Sequence, residues 1–201
     1  DLDFVDEENL QNQVQKFINT EKPDAVIFED YNKGILTKSI IENTIAFCQK
    51  NNIISAVDPK RKNFFSYRNA TLFKPNLNEA ITGLNLLPEE VSAELLSNIH
   101  FQLKEKLDHS ISLITLSEKG VFYQENDDQK ILPSHRRNIA DVSGAGDTVI
   151  AVASLIYAAT KNIDLAARIA NIAGGIVCEE VGTVPIQKEK LFQECQKLMT
   201  E

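Results

Sequence analysis

The sequence predicts an α/β protein: a mostly parallel sheet covered by helices on both faces. Three observations predict it. Short apolar runs alternate along the chain with longer stretches whose apolar residues recur at helical spacing. The runs are separated by enough chain to hold a helix, as parallel neighbours require. Polar residues also collect just after successive strands, where open parallel sheets place their ligands.

In order, a helix around Leu10 to Asn19 leads into a buried strand, Asp24 to Phe28. Thr37 is placed to cap the next helix, which carries Ile40, Ile41, Ile45 and Cys48 on one face. Ile53 to Val57 is the second strand, and a charged loop follows from Asp58 to Arg68. Thr71 to Lys74 is the third, stopped by Pro75. Pro88 fits the first turn of a helix through the 90s. Ile111 to Leu116 is the fourth strand, and Gly120 permits a turn into Val121 to Tyr123. Asp127-Asp128 separates that run from Lys130 to Leu132, which predicts a hairpin. A long apolar helix follows the segment Asp141 to Thr148 and runs to Thr160. Asp164 is expected to cap the next, whose Ala166, Ala167, Ala170, Ala173 and Gly174 keep one face small. Pro185 and Gln187 introduce a final amphipathic helix to Leu198. No repeat, low-complexity tract or linker interrupts this single layer system.

Composition bounds the function. A chain of 201 residues fits one domain, and at this size roughly 70% of the unfolded surface is buried. An apolar share of 43% beside 25% charged residues excludes disorder and collagen-like repeats. The longest nearly apolar stretch, Val149 to Ala159, has 11 residues, too few to span a bilayer. No secretory signal opens the chain, so no membrane partner is expected. Lys and Arg number 21 against 29 Asp and Glu, a net charge of −8 that argues against a nucleic-acid partner. A small anionic ligand needs only a few local donors and stays open. Cys48, Cys178 and Cys195 are widely spaced and form no CxxC, so they read as buried thiols of a reducing, cytoplasmic compartment. His100, His109 and His135 have no metal-ligand spacing. The chain begins at Asp1 rather than Met, so an N-terminal segment is expected ahead of it.

Each strand ends in polar residues: Asp30 to Gly34, Asp58 to Lys60, Asn76 to Glu79, and Ser117 to Gly120. Any one of these reads as a solvated loop; four at one edge predict a shared site. The sharpest local signal is Ser143-Gly-Ala-Gly-Asp-Thr148. Its glycines let the backbone turn tightly and aim successive amides at one point on a helix start, which suits a phosphate. Asp147 falls in the first helical turn. Alone it reads as a favourable charge on the helix dipole; beside an anion cradle it supplies the base that phosphoryl transfer needs. The chain has no GxxxxGK[ST], and Val149 breaks a GxGxxG reading.

Asp141 to Thr148 resembles the C-terminal signature of the ribokinase-like (PfkB) carbohydrate kinases, and Asn76-x-x-Glu79 resembles their NxxE motif. Within that family, Asp30 to Gly34, Val57 to Lys60 and Lys74 to Glu79 look most like the D-glycero-β-D-manno-heptose-7-phosphate kinases. These include the kinase half of the bifunctional ADP-heptose synthesis enzyme. Ala170-Asn171 through Gly182-Thr183 is similar to the adenine-side helix and turn. The resemblance extends over essentially the whole chain. It implies a three-layer αβα ribokinase-like fold with a mostly parallel central sheet, the N-terminal part and lid being absent. Residues 1–201 then form the C-terminal two-thirds of a single kinase domain.

The resemblance also implies roles. Asp147 is the base for a sugar's C1 hydroxyl, and the amides of Gly144, Ala145 and Gly146 form the anion hole. Asn76 and Glu79 organise Mg²⁺, Glu79 through water. Ser117 and Gly120 lie along the triphosphate of ATP and Asn171 beside the adenine, while Lys33 and Lys60 are candidates for phosphate contacts. The expected partners are ATP and a small sugar phosphate, with a homodimer as one assembly that lid strands allow. Another sugar or nucleoside kinase of the same family, or a nucleotide-binding fragment without turnover, are the competing expectations. Two departures stand out. The sugar-contacting N-terminal third is not expected within residues 1–201, and Glu179-Glu180 replaces the glycine and lysine that heptose kinases often carry. No nucleotidyltransferase domain is expected within residues 1–201.

Overall fold

The computed structural model describes residues 4–135 and 137–199. Helix α1 (Phe4–Glu21) leads into β1 (Ala25–Glu29), and α2 (Lys38–Lys50) into β2 (Ile54–Asp58). A 3₁₀ turn, Arg61–Asn63, precedes the short β3 (Leu72–Phe73). Helices α3 (Leu77–Leu84) and α4 (Ala93–Leu107) then cross to β4 (Ile111–Thr115). A second 3₁₀ turn, Ser117–Lys119, leads to the hairpin of β5 (Val121–Glu125) and β6 (Asp128–Leu132). Helices α5 (Ala145–Thr160), α6 (Ile163–Val177) and α7 (Lys188–Leu198) complete the chain.

The strands lie in the sheet in chain order, β1 to β6. β1 to β4 are parallel, and β5 and β6 antiparallel. Right-handed crossovers between strands laid down in one direction put every connecting helix on the same face. Strand alternation then sorts the core into two layers. Val57, Ile114 and Phe122 pack with α2, α3 and α4. Ala56, Leu113 and Tyr123 point the other way, onto α5 and α6. This is the three-layer arrangement the resemblance implies, and the expected hairpin is present, turning at Asn126-Asp127 so that Asp128 opens β6. Its consequence for function is geometric: the carboxyl ends of β1 to β4 and the N-terminus of α5 meet at one edge.

Local capping follows the sequence in part. Thr37 Oγ1 accepts the Ile40 amide at 3.3 Å, as expected. Pro88 does not open a helix; α4 begins at Ala93, capped by Ser92, whose hydroxyl accepts the Leu95 amide at 3.1 Å. Nor does Asp164 cap α6. Asn162 does, accepting the Leu165 amide at 2.9 Å, which leaves Asp164 in the first turn to bind Arg168 Nε at 2.6 Å. Among the described residues no helix is long and apolar enough to cross a membrane. Cys48 and Cys178 are buried and Cys195 half-buried, all three as free thiols.

Candidate active site

The start of α5 is built by Asp141. Its Oδ1 accepts the Ser143 amide at 3.0 Å and hydroxyl at 2.8 Å, and its Oδ2 accepts the Gly182 amide at 3.1 Å. Those bonds, Ser143's backbone first, hold its pKa below the ordinary value. Gly144 turns the chain at φ +78°, and a Cβ there would stand 2.9 Å from Thr183 Cγ2. Both facts demand glycine. Among the described residues the amides of Gly144 and Gly146 have no backbone acceptor, whereas Ala145 donates to the Val142 carbonyl at 3.3 Å. Two open amides thus sit at the positive end of a 16-residue helix, a fit for an anion.

Beside this nest lies a charged cluster. Carboxylate oxygens of Glu29, Asp58 and Asp147 lie within 4.8 Å of one another. Glu29 and Asp58 end adjacent strands and pair in register, so the sheet itself sets two of the three side by side. Burial pushes the Glu29 carboxyl up to about 7, with Asp147 and Asp58 adding to the shift and Lys74 opposing it. Asp58 is held by two ammonium groups, Lys74 Nζ at 2.9 Å from Oδ2 and Lys60 Nζ at 3.3 Å from Oδ1. Lys60 also reaches Glu79 Oε1 at 2.8 Å. Burial lowers the Lys60 pKa, but the bond to Glu79 and the charge of Asp58 outweigh it, so the net shift is upward. Tyr31 donates its phenol proton to Asp147 Oδ2 at 2.7 Å, which pushes the phenol up to about 12. With Asp58 engaged by two lysines and Asp147 by a phenol, the trio resembles a base with its electrostatic neighbours more than a ready cation cage.

Asn76 and Glu79 form a reciprocal capping box at the start of α3. Asn76 Oδ1 accepts the Glu79 amide and Glu79 Oε2 accepts the Asn76 amide, each at 2.8 Å. The N-x-x-E spacing therefore has a structural reason of its own. With Ser117 these two residues border a cavity of about 780 Å³, walled further by Arg61, Phe64 and Lys119. Gly120 turns at φ +96° where a Cβ would fall 2.0 Å from the Leu132 carbonyl, so the hairpin requires it. Asn171 on α6 donates to the Pro133 carbonyl at 2.9 Å, tying that helix to the end of β6. Lys33 is exposed on the loop after β1. The structure thus joins Lys60, Asn76 and Glu79 to the Asp147 cluster through Asp58, places Ser117 beside them, and brings Gly120 and Asn171 to the β6 end.

Four groups of the cluster carry no role in the sequence reading: Glu29, Tyr31, Asp58 and Lys74. The missed signal is strand parity. The predicted strand ends at Phe28, so Glu29 falls outside both it and the polar run Asp30 to Gly34. In the fold Asp30 is 3% exposed and accepts the Tyr67 hydroxyl at 2.8 Å and Asn63 Nδ2 at 3.2 Å, an anchor for the loop. Glu29, one residue earlier, faces the site. The acidic turn is explained as well: Glu179 pairs with the buried Arg137 at 3.2 Å, and Arg137 binds Glu194 at 2.8 Å.

The model of the pfkB family of carbohydrate kinases matches residues 3–190. The chain belongs to that family. Among curated relatives, the bifunctional protein HldE of Sulfurimonas denitrificans is 39% identical over 165 residues, 81% of this chain and 34% of that protein. The HldE of Aliarcobacter butzleri is 33% identical over 198 residues, 96% of this chain and 41% of the relative. The family member described here therefore spans well under half the length of these relatives. Solved structures share its fold. Phosphofructokinase-2 from Escherichia coli, in complex with potassium, superposes with a TM-score of 0.82 at 15% identity, covering 96% of this chain and 63% of that one. Arabidopsis thaliana ribokinase, complexed with ribose and ATP, gives 0.75 at 18% identity, covering 98% and 60%.

Proposed function

We propose that this chain carries the catalytic part of an ATP-dependent sugar kinase. Its acceptor is the C1 hydroxyl of a sugar phosphate, D-glycero-β-D-manno-heptose 7-phosphate. One observation carries the reading: the Asp147 carboxylate stands in the first turn of α5, beside two open nest amides, and already accepts a hydrogen bond from a hydroxyl. Family membership and the HldE relatives support the sugar-kinase class, and the motifs at residues 30–34, 57–60 and 74–79 support the heptose branch.

The step is an in-line displacement. The acceptor oxygen attacks the γ-phosphorus of ATP, the bond to the β–γ bridging oxygen breaks, and ADP leaves. The hydroxyl proton passes to Asp147. The open amides of Gly144 and Gly146 meet the charge that spreads over the transferring group. Both Glu79 oxygens already accept one hydrogen bond, which fits a water-mediated hold on Mg²⁺ by Glu79 and Asn76. There Mg²⁺ would neutralise phosphate charge. Ser117 lines the cavity along which the triphosphate would lie, and Lys60, tied to Asp58 and Glu79, is the lysine candidate that ion pairs hold at the site.

The test is ATP consumption against a panel of sugars and sugar phosphates, with product identified by mass. Transfer to the heptose 7-phosphate alone is expected; preference for another acceptor overturns the branch, and ATP binding without turnover overturns the activity. Asp147→Asn should keep the fold and nucleotide binding and slow turnover by roughly 10²–10⁴.

A further inference from the structure

The hydroxyl that Asp147 accepts belongs to the protein itself. Tyr31 sits on Oδ2 at 2.7 Å, where an alcohol about to be phosphorylated must place its own O–H. We propose that Tyr31 is a place-holder for the acceptor: its phenol occupies the base until a sugar hydroxyl displaces it, and so keeps water from taking that position. This deepens the kinase reading and rests on it.

The loop after β1 is built for such an exchange. Its backbone is pinned by Asp30, which is buried, accepts Tyr67 and Asn63, and also accepts the Asn32 amide at 2.8 Å. The Tyr31 ring, by contrast, is 56% exposed, so little packing opposes its leaving. Fixed backbone and free ring are what a displaceable group needs.

Charge explains why the holder is a phenol. Asp147 shares its surroundings with Glu29 and Asp58, while the nearest buried cation, Lys74, is engaged by Asp58. A neutral O–H donor satisfies Asp147 without adding a charge that a sugar would have to expel. It also resembles the sugar hydroxyl, so exchange trades one hydrogen bond for another.

The consequence is discrimination between two nucleophiles. A base that activates an alcohol beside a γ-phosphoryl group activates water equally well, and the result is idle ATP hydrolysis. A sugar, held by its other hydroxyls and its phosphate, can displace Tyr31. Water has no such binding to draw on.

Tyr31→Phe removes only the hydroxyl of an exposed side chain and should fold normally. ATP hydrolysis without acceptor is expected to rise on the order of tenfold, one charge-assisted hydrogen bond's worth, while the KM for the sugar falls. Hydrolysis no higher than in the wild type overturns the place-holder. Asp147→Asn, run alongside, separates the two readings: if it leaves sugar phosphorylation intact, the base assignment itself fails, whatever Tyr31 does. A readout without turnover is the ζ-¹³C tyrosine resonance that Tyr31→Phe deletes. Adding the sugar phosphate alone should shift it; a bound sugar with an unmoved signal also overturns the proposal.

Discussion

Asp58 is the residue on which the charge of the site balances. It stands between Glu29 and Asp147, two acids it repels, and Lys74 and Lys60, two cations it holds. Lys74 is the more consequential partner, because its side chain is 3% exposed and Asp58's is 7%. An ion pair this far from water gains little over an apolar pair, yet losing one member strands the other. Lys74→Met should therefore destabilise the fold by about 3 kcal/mol in urea denaturation, Lys60 moderating the loss from the exposed side. Adding Asp58→Asn in the same chain removes the stranded charge and should restore part of that stability. A double variant no better than the sum of the singles would show that the pair is not coupled. Glu29 belongs to the same account: its raised pKa reflects burial beside two like charges, which only the assembled sheet brings to it.

The turn into α5 is the element most legible in the sequence, because its requirements are local. Gly144 must reach φ +78°, and Asp141 must bond amides two residues ahead and across the 182 turn. Ser-Gly-Ala-Gly-Asp announces most of that by itself. Gly144→Ala is expected to cost about 1–2 kcal/mol for the left-handed backbone, with the Thr183 clash added, and to weaken ATP binding. Thermal denaturation and a nucleotide titration read the two effects, and an unchanged melting temperature would mean the turn tolerates a Cβ. Other elements were less legible for stated reasons. Asn162 takes the cap of α6 over Asp164, a near neighbour of similar propensity, and α4 starts after Ser92 rather than at Pro88. Glu29 joins the cluster while Asp30 anchors the loop because side chains alternate faces, and Glu29 lies one residue beyond the strand the sequence predicts. Which lysine meets Asp58 depends on register between β2 and β3, and no local pattern encodes it. The N-x-x-E spacing is legible as a capping box, and the proposed site draws on the same two residues.

Across the whole molecule, the sheet separates chemistry at its carboxyl edge from stability in its two layers, and the two respond to pH differently. On the α4 face, His100 Nδ1 lies 2.9 Å and His109 Nε2 2.7 Å from the Ser112 hydroxyl. Both rings are fully buried, and among the described residues His100 Nε2 and His109 Nδ1 have no hydrogen-bond partner. Burial first, then Lys104 for His100 and the His100 and Lys104 charges for His109, pulls their pKa values down to about 4 and about 3. Both histidines are therefore neutral in the fold and free to protonate near 6.5 when unfolded. Below that pH the unfolded chain binds protons the fold refuses, so stability falls by about 1.4 kcal/mol per pH unit for each histidine. Glu29 acts in the opposite direction. Its carboxyl keeps a proton up to about 7 in the fold, so acidification between 7 and 4.5 favours the folded state. One half-buried carboxyl against two buried imidazoles leaves a net loss of stability as pH falls from 7 to 5. Urea denaturation across that window should show the loss, and His100→Gln should remove close to half of the histidine slope while leaving the Glu29 contribution in place. A variant with the full wild-type slope would mean that the imidazoles take up protons without unfolding, and that the pair is open to water from the α4 side.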